Sequence, residues 1–130
     1  MTRRERTPAT VTELREAVAE AVAHGQRVKA LGAGRAGNTG STIGDTDGIR
    51  IGTARLTGVL SADRDSGLVR VLAGTRLGEL SAVLWQLGLS LNTIGDPDAS
   101  VGGAISTGVH GSGARVGGLA SLVRSLRLAT

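Results

Sequence analysis

The chain has 130 residues, enough for one domain with a modest core and too few for two. Its apolar 40% is almost wholly Ala, Val, Leu and Ile, with Trp85 the sole aromatic and no cysteine; disulfides, thiolate metal sites and stacking platforms for single-stranded nucleic acid are thereby excluded. The formal charge of +4 rests on arginine, with Lys29 the sole lysine, and suits either a solvated surface or attraction of an anion such as a pyrophosphate.

Residues 1–9 read as a loose, charged leader, without the hydrophobic core of a signal segment, and no apolar run anywhere is long enough to span a membrane. Cytoplasmic is the default expectation. Thr10 followed by Glu13 has capping-box spacing, Leu14, Val18, Ala21 and Val22 recur at helical intervals, and Gly25 marks a stop. Residues 27–31 alternate as a short strand. Residues 32–48 hold six glycines at 32, 34, 37, 40, 44 and 48. Each disfavours helix by roughly 1 kcal/mol relative to alanine, so this stretch is loop. Strands are expected at 49–51, 56–62 and 68–72, the last after the turn residues Asp63, Asp65 and Gly67. A second helix fits residues 75–87, with Thr75 as N-cap, Leu77, Leu80, Leu84 and Leu87 on one face, and Gly88 as its end. A short helix over 101–109 follows, weakened by Gly102, Gly103 and Gly108. Residues 119–128 read as a turn of helix passing into a strand, and the chain stops at Thr130 with no cap or turn, as a cut chain would.

The first glycine run, Gly32-Ala33-Gly34-Arg35-Ala36-Gly37, matches a GxGxxG dinucleotide fingerprint. That fingerprint requires strand, loop, helix, whereas Asn38, Thr39, Gly40, Ser41, Thr42, Ile43 and Gly44 do not hold a helix. A nest is the competing reading, in which successive amides converge on phosphate oxygens and Asn38, Ser41 and Thr42 add side-chain donors. A plain surface loop is the third. The second run, residues 91–113, is dominated by small and hydroxyl residues, so a ligand can lie against its backbone. By itself His110 fits a surface or hydrogen-bonded structural role as well as a binding one.

Taken together the two runs resemble the flavoprotein oxidases that share the vanillyl-alcohol-oxidase type of FAD-binding domain, and among them the aldonolactone and alditol oxidases. Residues 32–36 stand where those proteins carry Gly-Ser/Ala-Gly-His-Ser. Gly102-Gly103-Ala104-Ile105-Ser106-Thr107-Gly108-Val109-His110-Gly111-Ser112-Gly113 stands where they carry Ala-Gly…Thr-Gly-Thr-His-Gly-Ser/Thr-Gly. Residues 69–80 and 119–128 match as well, and the likeness runs over about 7–130.

The resemblance implies an α+β, two-subdomain FAD-binding domain over 10–130, incomplete at its C-terminus, with subdomain 1 about 10–55 and a partial subdomain 2 about 56–130. It implies Ala30, Leu31, Gly32, Ala33, Gly34, Arg35, Ala36 and Asn38 along the FAD pyrophosphate. Gly95, Ser100, Gly103, Thr107, Gly108, Val109 and His110 would meet the cofactor from the other side, near the ring and ribityl chain. The implied reaction takes hydride from a CH–OH carbon of a sugar lactone or alditol to the flavin, which oxygen or another acceptor then reoxidises. The small polyol or sugar-lactone substrate would be met only by a full-length form.

Two departures qualify this. Arg35 stands where many relatives place the histidine bonded to flavin, and a guanidinium, protonated at any ordinary pH, is a poor nucleophile; the FAD is expected to be non-covalent, with Arg35 available to pair a phosphate instead. Ala36 and Gly37 also replace a hydroxyl donor and an aromatic anchor. No general base stands out among His110, Asp96 and Asp98, no catalytic residue is assigned, and no metal or nucleic acid is expected. The alternative function is a non-catalytic FAD- or nucleotide-binding fragment or remnant.

Overall fold

The computed structural model describes residues 4–34, 48–92, 95–113 and 115–130. At the first helix, Thr10 sits in extended backbone and its hydroxyl accepts the Glu13 amide at 3.1 Å, while the Glu13 carboxylate accepts the Ala9 amide at 2.7 Å. These bonds satisfy donors that no earlier helical carbonyl reaches, and α1 runs over Val11–Ala23. Strands β1 (Arg4–Arg6), β2 (Val28–Leu31) and β3 (Ile49–Gly52) form a parallel sheet in the order β1-β3-β2. Ile49 and Ile51 on the central strand pack with Ala17 and Ala21 of α1, with Leu14 and Val18 around them. The two alanines let the helix approach the sheet closely, so this small core closes without large side chains.

Strand β1 occupies residues that the sequence assigns to a loose leader. Arg-Glu-Arg offers no apolar alternation to read, and the strand is specified from outside itself. Its register sets Arg4 opposite Ile49 and Arg6 opposite Ile51. Both arginines reach Glu20 on α1, Arg6 in a two-pronged contact at 2.9 and 3.1 Å. Exposed pairs of this kind contribute about 1 kcal/mol or less, so the backbone ladder holds the strand and the ion pairs set its face.

Beyond β3, strands β4 (Val59–Asp63) and β5 (Leu68–Val71) make an antiparallel hairpin with an irregularity between Val59 and Ser61. The Asp63 carboxylate closes its turn, accepting the Ser66 hydroxyl at 2.7 Å and the Asp65 amide at 3.0 Å. Helix α2 covers Leu77–Gln86 and helix α3 Val101–Ser106, followed by a 3-10 turn at Leu119–Leu122. Leu77, Leu80 and Leu84 recur at helical spacing and are buried with Ala99, Val101, Ala104 and Leu119 in a second, larger core.

Several boundaries differ from expectation. The N-cap of α2 is Arg76, not Thr75. The Thr75 hydroxyl is spent elsewhere: it donates to the Leu72 carbonyl at 2.7 Å, accepts the Gly58 amide at 2.9 Å, and is buried. Helix α3 stops at Ser106, with the Thr107 hydroxyl donating to the Gly103 carbonyl at 2.9 Å. After the 3-10 turn the chain continues without a strand partner among the described residues. No helix among those residues is long and apolar enough to cross a membrane.

Candidate cofactor site

Strands β2 and β3 are parallel, so their carboxyl ends lie together, the usual seat of a ligand in such sheets. Gly32 and Ala33 leave β2 there, and Thr53 and Ala54 leave β3. With Gly74, Arg76 and Ser100 they line an open cleft of about 130 Å³. A whole small-molecule pocket takes roughly 300 Å³ or more, so this cleft is of a size for a diphosphate group and too small for a whole dinucleotide.

The first wall is backbone. The Leu31 carbonyl accepts both the amide and the hydroxyl of Thr53 at 3.0 Å, which fixes the point where the chain leaves the sheet. In that register the backbone groups of Lys29 and Leu31 face β3, and those of Val28, Ala30 and Gly32 face the opposite edge. The amides of Gly32, Ala33 and Gly34 have no acceptor among the described residues. Gly34 holds φ +70, a conformation costly for any side-chain-bearing residue, and the space where its Cβ would stand is open. This is a cradle with donors unspent. Arg35, Ala36 and Asn38, with Ser41 and Thr42, lie outside the described residues.

The second wall is Ser100, N-cap of α3. Its hydroxyl accepts the Gly103 amide at 3.1 Å, and a Cβ built on Gly32 would come within 2.6 Å of that oxygen. The two glycine runs thus meet at Gly32, Ser100 and Gly103. They do not contribute alike. Val101 and Gly102 donate their amides to the Thr75 and Ala73 carbonyls, each at 2.8 Å, and Gly103 donates to Ser100. At α2, Leu77 and Gly78 donate to Ala99 and Pro97, each at 2.9 Å. The first two amides of α2 and the first three of α3 are therefore already satisfied at the cleft.

Of the other residues singled out in that run, Gly95 precedes α3, and Thr107, Gly108, Val109 and His110 follow its last turn, six residues or roughly 9 Å from Ser100. Thr107, Gly108 and His110 are exposed at its far end. His110 holds Nδ1 3.0 Å from the Gly111 carbonyl. A carbonyl only accepts, so Nδ1 carries the proton and Nε2 of the neutral ring is an acceptor. Val109 packs against the larger core and against Gly95, and is not a cleft residue. Ala30 and Leu31 lead into the cleft without lining it. Thr53, Ala54, Gly74 and Arg76 line the cleft as well, at positions that the sequence pattern does not single out.

Geometry of this kind, two side-chain-poor segments closing on one cleft at the ends of parallel strands, defines a dinucleotide-binding fold. A family model described as "FAD binding domain" matches residues 4–130; the chain belongs to that family, its fold is the α+β, two-subdomain FAD-binding type, and its cofactor is FAD. The L-gulono-1,4-lactone dehydrogenase of Mycobacterium tuberculosis is 39% identical over 124 residues, 95% of this chain and 28% of that protein. The L-gulonolactone oxidase of Bos taurus is 37% identical over 95% of this chain and 28% of its own length. The alditol oxidase of a Streptomyces species is 38% identical over 95% and 29%. Among solved structures, aclacinomycin oxidoreductase superposes with a TM-score of 0.66 at 24% identity, over 80% of this chain and 21% of that one. The chain spans under a third of these relatives' lengths.

Proposed function

We propose that this chain forms the dinucleotide-holding part of an FAD-dependent oxidoreductase acting on the CH–OH group of a sugar lactone or alditol, with the flavin bound non-covalently. The observation that carries this is the meeting of Gly32 and Ala33 with Ser100 across one cleft. The named activities of the relatives supply the substrate class. Gly32, Ala33 and Gly34 would offer unspent amides to the diphosphate, and the far end of α3, where Thr107, Gly108 and His110 sit, would lie toward the ribityl chain and ring. Bound FAD supplies the hydride acceptor; these residues hold and orient it.

Of the described residues lining the cleft only Arg76 ionises, and a guanidinium does not take a proton from an alcohol. The 130-residue chain is therefore expected to bind FAD without lactone- or alditol-dependent oxygen uptake, and a clear uptake rate would contradict the proposal. Non-covalent attachment is tested by precipitating the FAD-loaded chain with acid. All yellow colour should remain in the supernatant; colour retained on the washed pellet would refute it.

A further inference from the structure

We infer that Arg76 is the cation that recognises the cofactor's diphosphate, so that this cleft draws its charge from a side chain and not from a helix end. The inference rests on the assignment of the cleft to FAD and adds the residue that makes it electrostatically selective.

Three observations converge. Arg76 lines the cleft with Gly32, Ala33 and Ser100 and is half-buried there. Among the described residues no carboxylate lies within 4.0 Å of its guanidinium, so none of them neutralises its charge. Helix α2 and helix α3 both start at the cleft, but Leu77, Gly78, Val101 and Gly102 spend their amides on the carbonyls of Ala99, Pro97, Thr75 and Ala73, and Gly103 spends its own on the Ser100 hydroxyl, which removes most of the anion affinity of those helix ends. A diphosphate seated between the glycine runs thus meets neutral amides on one side and needs a charge from the other.

The guanidinium is also held in place. Nη1 donates to the Asp98 carbonyl, and the Arg76 amide donates to the Glu79 carboxylate at 3.4 Å. One nitrogen is tied to the loop that carries Ser100, while the remaining N–H groups of the planar fork are left for phosphate oxygens. Fixing one prong before the ligand arrives lowers the ordering cost of the other.

The test is FAD binding by the full 130-residue chain, followed by fluorescence anisotropy at low and high salt, with thermal unfolding recorded for each variant. Arg76→Met is expected to weaken FAD binding by about 10- to 100-fold, the range of a hydrogen bond to a charged group. Its remaining affinity should depend less on salt than that of the wild type, because the removed contact is ionic. Arg76→Lys keeps charge without the fork and should recover part of the affinity and the salt dependence. Equal affinity in wild type and Arg76→Met would overturn the inference. So would a loss with unchanged salt dependence and no recovery by lysine, since that marks a purely structural role through Asp98. Should Arg76→Met not fold, the lysine variant's affinity and salt dependence decide: values below the wild type but still falling with salt support the inference, and values equal to it overturn it. Failure of the wild type itself to bind FAD is a separate result, which removes the assignment of the cleft and this inference with it.

Discussion

Gly32 and Ser100 are separated by most of the chain yet compete for the same few cubic ångströms. A methyl group on Gly32 would stand 2.6 Å from the Ser100 hydroxyl, which caps α3 through the Gly103 amide. Gly32→Ala must turn that hydroxyl away and lose the cap, and Ser100→Ala removes the cap outright; either is expected to cost about 1 kcal/mol. The double variant loses the same cap only once. Urea unfolding of the four proteins should show a coupling of about 1 kcal/mol, and simple additivity would contradict the contact. Asp63 offers a second test at this scale. The Ser66 hydroxyl first, then the Asp65 and Ser66 amides, hold its carboxyl below the ordinary aspartate value of 3.8. A folded value below the unfolded one means the turn's contribution is present above about pH 3.8 and is lost as pH falls through the folded value. Carbon-detected titration should place the Asp63 midpoint below that of an unstructured aspartate, and Ser66→Ala should raise it; a midpoint at or above the unstructured value contradicts the hydrogen bonds.

The elements divide by how much of their cause lies in their own residues. Helix α2 was legible because Leu77, Leu80 and Leu84 repeat at helical spacing, and α1 because Thr10 and Glu13 announce its start. Strand β1 was not, since Arg4, Glu5 and Arg6 carry no alternation and become a strand only beside β3. The same contrast governs the site. Gly32 and Gly34 advertise a backbone surface through what they lack, whereas Thr53 and Arg76 enter the cleft through chain crossings that no local pattern records. Thr75 was assigned the cap of α2 by residue type, but its hydroxyl fastens the hairpin instead. Burial separates two substitutions on α2. Leu77 is fully buried, so Leu77→Ala should cost about 2–5 kcal/mol. Trp85 is 80% exposed, so Trp85→Gln should stay within about 0.5 kcal/mol in urea unfolding. A large loss from the tryptophan would mean that it is covered by something outside the described residues.

At the scale of the molecule, two modest aliphatic cores sit on either side of a cleft that neither owns. One holds α1 against the parallel sheet and the other holds α2 and α3 together. The cleft lies where they meet, and if FAD occupies it the unfolding midpoint is expected to rise with the logarithm of FAD concentration above the dissociation constant. The measurement that bears most directly on the central claim is a map of backbone amide NMR shifts in the isotope-labelled chain as FAD is added. The amides of Gly32, Ala33 and Gly34 should move together with those of Arg76 and Ser100, along one binding isotherm, while those on the outer face of α1 stay still. Shifts confined to one glycine run, or centred on the α1 face away from the cleft, would show that the two runs do not share a ligand.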